Sequence, residues 1–421
     1  MSNTTFSSEW KSARLGDYCH KPDYGYTASA TQEVTGIRFL RITDIQEGGV
    51  KWDTVPYCVC DEKTVRSNRL LRGDVVIARI GATTGKAYLI DECPETVFAS
   101  YLMRVRTQPA LHADFLYAFF QTEQYWKQID ENKGGRLKGG VSIPVLQNLI
   151  LPLPPLAEQR AIAAALRAVQ DARDARRRAL ILERERKAAL MEDLFTYGIR
   201  GESCHQTEIG MMPHSWEMVP FGSVITLAQY GLSIRGETTG QYPILRMNCL
   251  KEGKVLFRDL QYVNLPPDQF QAFRLKYGDL LFNRTNSQDL VGKTGVFEAD
   301  TDCVCASYLV RVRVDTERAS PTFLNYYLNY LPTLTRLRAM ASRGVSQANI
   351  NASKLKTLAV PLPLLDEQQD IADTLTACDQ KIAALEAEAT LHDELFRALL
   401  EELMAGRIST WPLVEGVFAR A

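Results

Sequence analysis

Two short turns are the first places where this chain of 421 residues could hold chemistry. "GATTGKA" begins at Gly81 and "VGKT" at Val291. A nucleotide-binding loop needs four residues between its glycines and a Ser or Thr after the lysine. The first turn has three, and Ala87 stands where a hydroxyl would hold magnesium; the second has Ser287 in place of the first glycine. Neither is a nucleotide loop. Amino-methyltransferases hold the target amine with an Asn/Asp-Pro-Pro-aromatic tetrad, and "LPPD" at Leu265 and "LPPL" at Leu153 do not fit it. Cys58/Cys60 and Cys303/Cys305 are separated by one residue, not by the two to four usual for zinc, and the chain has only five histidines. These cysteines read as reduced thiols on half-buried strands. The sequence predicts no catalytic residue, no metal and no cofactor.

What remains is chemistry of contact. Arg79 and Arg284 end equivalent apolar runs, "LRGDVVIAR" and "LKYGDLLFNR". Arginine is the best single side chain for guanine, or for a bidentate hold on phosphate. Around them lie Thr83 and Thr84 in the first copy, and Asn283, Thr285, Asn286, Ser287 and Gln288 in the second. Lys86 and Lys293 sit beside flexible glycines, as suits a lysine on a phosphate; a solvated lysine on a hairpin turn is the alternative. Two polar loops add Arg136 and Lys138 ("NKGGRLKGG" from Asn132), and Arg343, Gln347 and Asn349 ("ASRGVSQANIN" from Ala341). Each of these groups is a candidate contact to a base edge or a phosphate and also reads as an ordinary polar loop. Arg41 and Arg246 match between copies and equally suit structural ion pairs.

These residues come in pairs because the whole chain is written twice. "FLRITDIQEG" from Phe39 is answered by "ILRMNCLKEG" from Ile244, "ASYLMRVR" from Ala99 by "ASYLVRVR" from Ala306, and "LMEDLF" from Leu190 by "LLEELM" from Leu399. The offset drifts only from about 205 to 209, a period too long for a solenoid. Each copy begins with short β-patterned runs such as "GDVVIARI" and "GDLLFNR", then helical patches such as "ADFLYAFFQTEQYWKQI" and "PTFLNYYLNYLPTLTRLRAM". This predicts an α+β fold for each globular part.

A long helix follows each part. In the second, Ile371, Leu375, Cys378, Ile382, Leu385, Ala389, Phe396, Leu399 and Leu403 fall at alternating steps of three and four, with His392 filling one place. That is a coiled-coil seam. In the first, Arg173, Arg176, Glu183 and Lys187 interrupt the seam, and a stripe from Ala161 to Ala179 offers close approach instead. From Ala157 to Leu194 there are nine Arg/Lys and seven Asp/Glu, net +2; from Asp366 to Met404 there are two and eleven, net −9. Opposite charge predicts that the helices pair with each other, as an antiparallel coiled coil within one chain; pairing with a second chain is the alternative. Net charge is −1, and without the acidic helix the rest stands at −1 − (−9) = +8, which suits a polyanionic partner. No apolar run reaches the length of a membrane span, and the start "MSNTTFSSEW" lacks a signal pattern, so a cytoplasmic protein is expected.

The helices open with "LPLPPLAEQRAIA" and "VPLPLLDEQQDIA". Two domains, each followed by a helix with this opening, resemble the specificity subunit of a type I restriction–modification system. "LFTYGIRGE" from Leu194, "LMAGRI" from Leu403 and "GVSQANINASKLKTLAVPLP" from Gly344 are similar to the family's pattern; "GGVSIPVLQNLILPLP" in the first copy lacks the Gln-x-Asn element. The resemblance implies target-recognition domains at 1–150 and 201–358, spacer helices at 151–200 and 359–409, and a tail at 410–421. It implies pseudo-twofold symmetry, with each domain reading one half of an interrupted duplex DNA site. The helices would dock two methyltransferase subunits, with Glu158, Gln159, Glu367 and Gln368 as candidate partner-binding residues. Restriction subunits would complete an adenine-N6 methyltransferase and ATP-dependent endonuclease in which this chain is not the enzyme. The competing readings are a coiled-coil scaffold with two protein-binding domains and a stand-alone methyltransferase or nuclease.

Overall fold

A computed structural model describes residues 10–46, 49–132, 140–342 and 347–408, with the backbone alone at Arg343. The chain forms two compact units, Met1–Ala179 with Leu385–Ala421, and Leu180–Ala384. The units therefore close through helix halves far apart in sequence, rather than at the linear ends of each copy.

In the first unit the apolar runs become strands. Val75–Ala78 and Leu102–Val105 are buried throughout because they lie inside a four-stranded sheet, flanked by Asp23–Tyr24 and Ala87–Leu89. The helical patch forms Ala113–Phe119 and Glu123–Asn132, whose Phe115, Phe119 and Tyr125 pack beneath the sheet. The core also takes in Ile162 and Leu166, and Phe396, Leu400, Leu403 and Met404 from the end of the second long helix.

In the second unit the equivalent strands Leu280–Asn283 and Leu309–Val314 lie in a six-stranded sheet. Helices Pro321–Asn329 and Leu331–Met340 cover it through Phe323, Leu324 and Leu337. Leu194, Phe195, Ile371 and Leu375 of the long helices complete this core.

The repeated "RVR" is a polar staple for each sheet. Arg104 is buried, and donates to the carbonyls of Ser67 and Arg69 at the end of helix Glu62–Asn68. Arg311 does the same to Ala272 and Arg274 after helix Pro267–Phe273. The next arginine grips a buried carboxylate with two bonds, Arg106 to Asp74 at 2.7 and 2.8 Å and Arg313 to Asp279 at 2.8 Å twice. Such paired donors are the geometry in which a buried charge is satisfied. Arg41 pairs with Asp44, and Arg246 donates to the Asp259 carbonyl, so these two are structural.

The long helices run Leu156–Tyr197 and Leu365–Met404. The seam of the second is as spaced: Ile371, Leu375, Cys378, Ile382, Leu385, Ala389 and Phe396 are buried. Within the first unit Arg173 meets Asp393, and Arg176 meets Glu388. Within the second, Lys187 meets Asp379 and Arg200 meets Asp366. Rising numbers on one helix meet falling numbers on the other, so the pairing in each unit is antiparallel. The alanine stripe does not make this contact, since Ala164, Ala168, Ala172 and Ala175 are exposed. The interrupting charges make it instead, because arginine and lysine cover apolar surface with their stems while pairing with the acidic partner.

Candidate nucleic-acid interface

Both candidate arginines leave their strands at matching points. In the first unit Val75 faces Val105 and Ala78 faces Leu102; in the second Leu280 faces Val312 and Asn283 faces Leu309. Arg79 and Arg284 come next. Their backbone N–H groups donate to the carbonyls of Tyr101 and Tyr308, at 3.0 Å in both units.

Their side chains are mounted alike. The Arg79 guanidinium lies over the Tyr24 ring, 4.5 Å from its centroid, and Nη1 donates to the Ser100 carbonyl at 3.4 Å. The Arg284 guanidinium lies over Tyr230 at 4.6 Å, and Nη1 donates to Ser307 at 3.2 Å. A ring face attracts a guanidinium electrostatically and leaves its in-plane donors available. Tyr24 and Tyr230 are 39% and 42% exposed, and Tyr101 and Tyr308 are exposed beside them. Each mount is thus a half-exposed arginine laid over one surface tyrosine ring and bonded through its backbone to a second exposed tyrosine.

The tyrosines were not among the expected residues, although "YG" at Tyr24 and Tyr230 recurs at the offset of the repeat. The glycine explains the pairing. A Cβ on Gly25 would lie 2.3 Å from the carbonyl oxygens of Phe98 and Ala99; on Gly231 it would lie 2.3 and 2.4 Å from those of Cys305 and Ala306. Only a bare Cα allows this approach, which sets the preceding tyrosine against the arginine.

The polar loops meet these mounts. Val141 donates to the Arg79 carbonyl and Ile350 to that of Arg284, both at 2.8 Å. In the second unit Thr285–Asn286, Ala348–Asn349 and Ser342–Arg343 form a three-stranded sheet, in which Asn349 donates to the Thr285 hydroxyl at 2.7 Å. The structure thus brings Arg284, Asn286 and Asn349 together, with Gln347 exposed next to them. Asn286 is partly engaged, donating to Met247 Sδ and accepting from the Ser287 N–H.

Other expectations change. Asn283 is 1% exposed and donates to the Leu290 carbonyl, so it supports the loop from inside and offers no edge to a ligand. "GATTGK" is a hairpin turn in which the buried Thr84 donates to the Gly81 carbonyl and Thr83 is exposed. Lys86 and Lys293 follow glycines with positive φ and are half-buried. Lys86 lines a groove of about 840 Å³ with Tyr88 and Trp126. Arg136 and Lys138 lie outside the described residues, as does the Arg343 side chain.

The partner-binding expectation is corrected for three residues. Gln159 is buried and accepts from the His112 N–H at 2.8 Å while donating to the Ala110 and Pro154 carbonyls. Gln368 repeats this with the Ser320 N–H and the Arg318 and Pro363 carbonyls. Glu367 is buried against the Ile199 N–H and Arg200. A side chain whose polar atoms are used internally has none to present to a partner. Glu158 accepts from Trp10 Nε1 at 3.2 Å. The Glu-Gln phrase fastens each helix start to its own domain.

Residues 7–183 and 213–392 match the family described as the type I restriction modification DNA specificity domain. The chain is 26% identical over 349 residues to the type I restriction enzyme EcoKI specificity subunit of Escherichia coli K12, covering 79% of this chain and 73% of that one. It is 23% identical to the MjaVIII specificity subunit of Methanocaldococcus jannaschii, covering 80% and 79%. The match to the putative MjaX specificity subunit of the same organism, 27% identical, spans only 48% of each chain. The fold is shared with the S subunit of a type I system from M. genitalium, at TM-score 0.61 and 12% identity over 96% of this chain and 98% of that one. A second solved chain, from work on assembly and conformational transition of the type I R-M system, aligns at TM-score 0.56 and 19% identity over 94% and 97%. Specificity subunits are the non-catalytic, DNA-recognising component of such systems. This chain belongs to the type I restriction–modification DNA specificity family and carries two copies of its domain in tandem.

Proposed function

We propose that each unit reads one half of an interrupted duplex DNA site, with Arg79 and Arg284 as the central contacts. The repeated mount carries this reading: two arginines set over tyrosine rings at 4.5 and 4.6 Å, each tied to a serine carbonyl. Thr83, Lys86, Asn286, Lys293, Gln347 and Asn349 flank them as further contacts, and Arg136, Lys138 and Arg343 are added to these from their sequence alone. Arg284→Ala in the partner-bound complex is expected to lose about 1–3 kcal/mol of discrimination at one base pair of one half-site. Equal weakening on every duplex would mark a phosphate contact instead.

The helices dock two methyltransferase subunits, and restriction subunits join them to methylate adenine or cleave DNA in the cytoplasm. Support comes from a repeated outward face. Leu182, Glu185 and Ala189 in one unit match Leu391, Glu394 and Ala398 in the other, and the two leucines are 64% and 63% exposed. Two identical exposed patches suit two copies of one partner. Native mass spectrometry should find two methyltransferase chains per specificity chain, and one after Leu391→Glu.

A further inference from the structure

We propose that Tyr24 and Tyr230 are positioning residues that aim Arg79 and Arg284, and thereby set base discrimination in each half-site. This rests on the reading of those arginines as DNA-facing.

An arginine on a surface loop samples many rotamers, and a bidentate base contact needs one of them. Here the guanidinium is held on two sides, by a ring face and by a serine carbonyl. Nη2 makes no hydrogen bond among the described residues in either copy, so this donor is uncommitted, while Nε is buried and Nη1 is held by the serine carbonyl. The ring is itself held at both ends. At the backbone, Gly25 donates to the Leu102 carbonyl at 3.2 Å and Tyr26 to Phe98 at 2.8 Å; Gly231 donates to Leu309 at 3.0 Å and Leu232 to Cys305 at 2.8 Å. At the far end, the Tyr24 hydroxyl accepts from the Ile143 N–H at 3.4 Å, and the Tyr230 hydroxyl from the Ala352 N–H at 3.0 Å. Ile143 and Ala352 begin the short helices that follow the two polar loops. Each tyrosine therefore links the end of its loop to its arginine. A ring used only for packing would be buried, whereas these rings are part of the surface.

The test measures binding of the partner-bound complex to its cognate duplex and to duplexes with single substitutions in either half-site. Tyr230→Leu keeps bulk but removes the ring. It should reduce discrimination at the base pair read by Arg284 about tenfold and leave the other half-site unchanged. Tyr230→Phe keeps the ring and should retain most of the discrimination. Tyr230→Leu with Arg284→Ala should be no worse than Arg284→Ala alone, because a positioning residue has nothing left to aim. The unchanged half-site reports that the complex is assembled. The same variants at Tyr24, read with Arg79, give an independent test should one unit fail to fold. Full discrimination in the leucine variants, or losses that add to those of the arginine variants, would overturn the proposal. Arg79→Ala and Arg284→Ala without any effect on discrimination would overturn the reading beneath it, and the proposal with it.

Discussion

The two units hold the same arginine mount on sheets of different width. In the first, the sheet ends at Ala87–Leu89, and the ribbon of Ile45–Gln46 and Gly49–Val50 stands apart as its own pair. In the second, the equivalent ribbon, Leu250–Lys251 and Gly253–Val255, joins the edge strand Thr294–Val296 and makes a sheet of six. One register position accounts for this. Val76 faces Tyr88 in the first unit, and Leu281 faces Gly295 in the second. A Cβ on Gly295 would lie 3.0 Å from both the Lys254 carbonyl oxygen and Leu250 Cδ2, so the ribbon docks only because no side chain is there. Tyr88 fills that place in the first unit and lines the groove left beside it. The staple differs too, for Arg104 faces Asp23 where Arg311 faces Gln229. The arginine mount survives both changes. It depends on two central strands and a Tyr-Gly approach, while edges and loops vary around it.

The largest effect should come from breaking what the units share. Gly25→Ala or Gly231→Ala forces a methyl into two backbone carbonyls and should destabilise the affected unit by about 3 kcal/mol. Hydrogen exchange should locate the loss in that unit alone. A smaller effect should follow from erasing a difference. Gly295→Tyr should free the ribbon Leu250–Val255 at a cost of about 2 kcal/mol, with faster exchange at Gly253 and Lys254. Unchanged protection there would show that the glycine does not decide the sheet width.

Helix pairing offers a third comparison. Glu183 is buried in the seam of the second unit, bonded to Arg186 and Lys381, and these partners lower its pKa from 4.5 to about 2. His392 holds the matching seam position in the first unit. A lowered carboxyl pKa adds stability above the unfolded value and loses it as pH falls through the folded one. The second unit should therefore lose melting temperature between about pH 5 and pH 2, and Glu183→Gln should flatten that slope while lowering the melting temperature by a few degrees at pH 7. The smallest change is Gln229→Asp. Burial lowers the Arg311 pKa, so a carboxylate opposite it should favour the charged form and raise stability by about 0.5–1 kcal/mol, seen as a shifted urea midpoint.

Much of this was legible in the chain. The duplication, the seam of the second helix, the opposite helix charges and the ends of strands at Arg79 and Arg284 all follow from local pattern. Periodicity and charge are properties of neighbouring residues, and they survive whatever the chain packs against. Other features were misjudged for one reason. The Ala161–Ala179 stripe suggested close packing, but four of its alanines face solvent because the acidic helix selects the charged side of its partner. Gln159 and Gln368 suggested a docking surface, but they bond to loops about fifty residues away in sequence.

Sequence by itself determined that this protein is two copies of one design joined and followed by long helices, that apolar strands present an arginine at their ends, and that no nucleotide loop or methylation tetrad is written into it. Tertiary structure decided which residues serve those arginines. Tyr24 lies 55 positions before Arg79, and Tyr230 lies 54 before Arg284. Only the crossing of Gly25 over Phe98 and Ala99, and of Gly231 over Cys305 and Ala306, brings ring and guanidinium together. Contacts between distant segments depend on how strands are ordered in the sheet. Strand order is fixed by the packing of the whole unit, and no local pattern contains it.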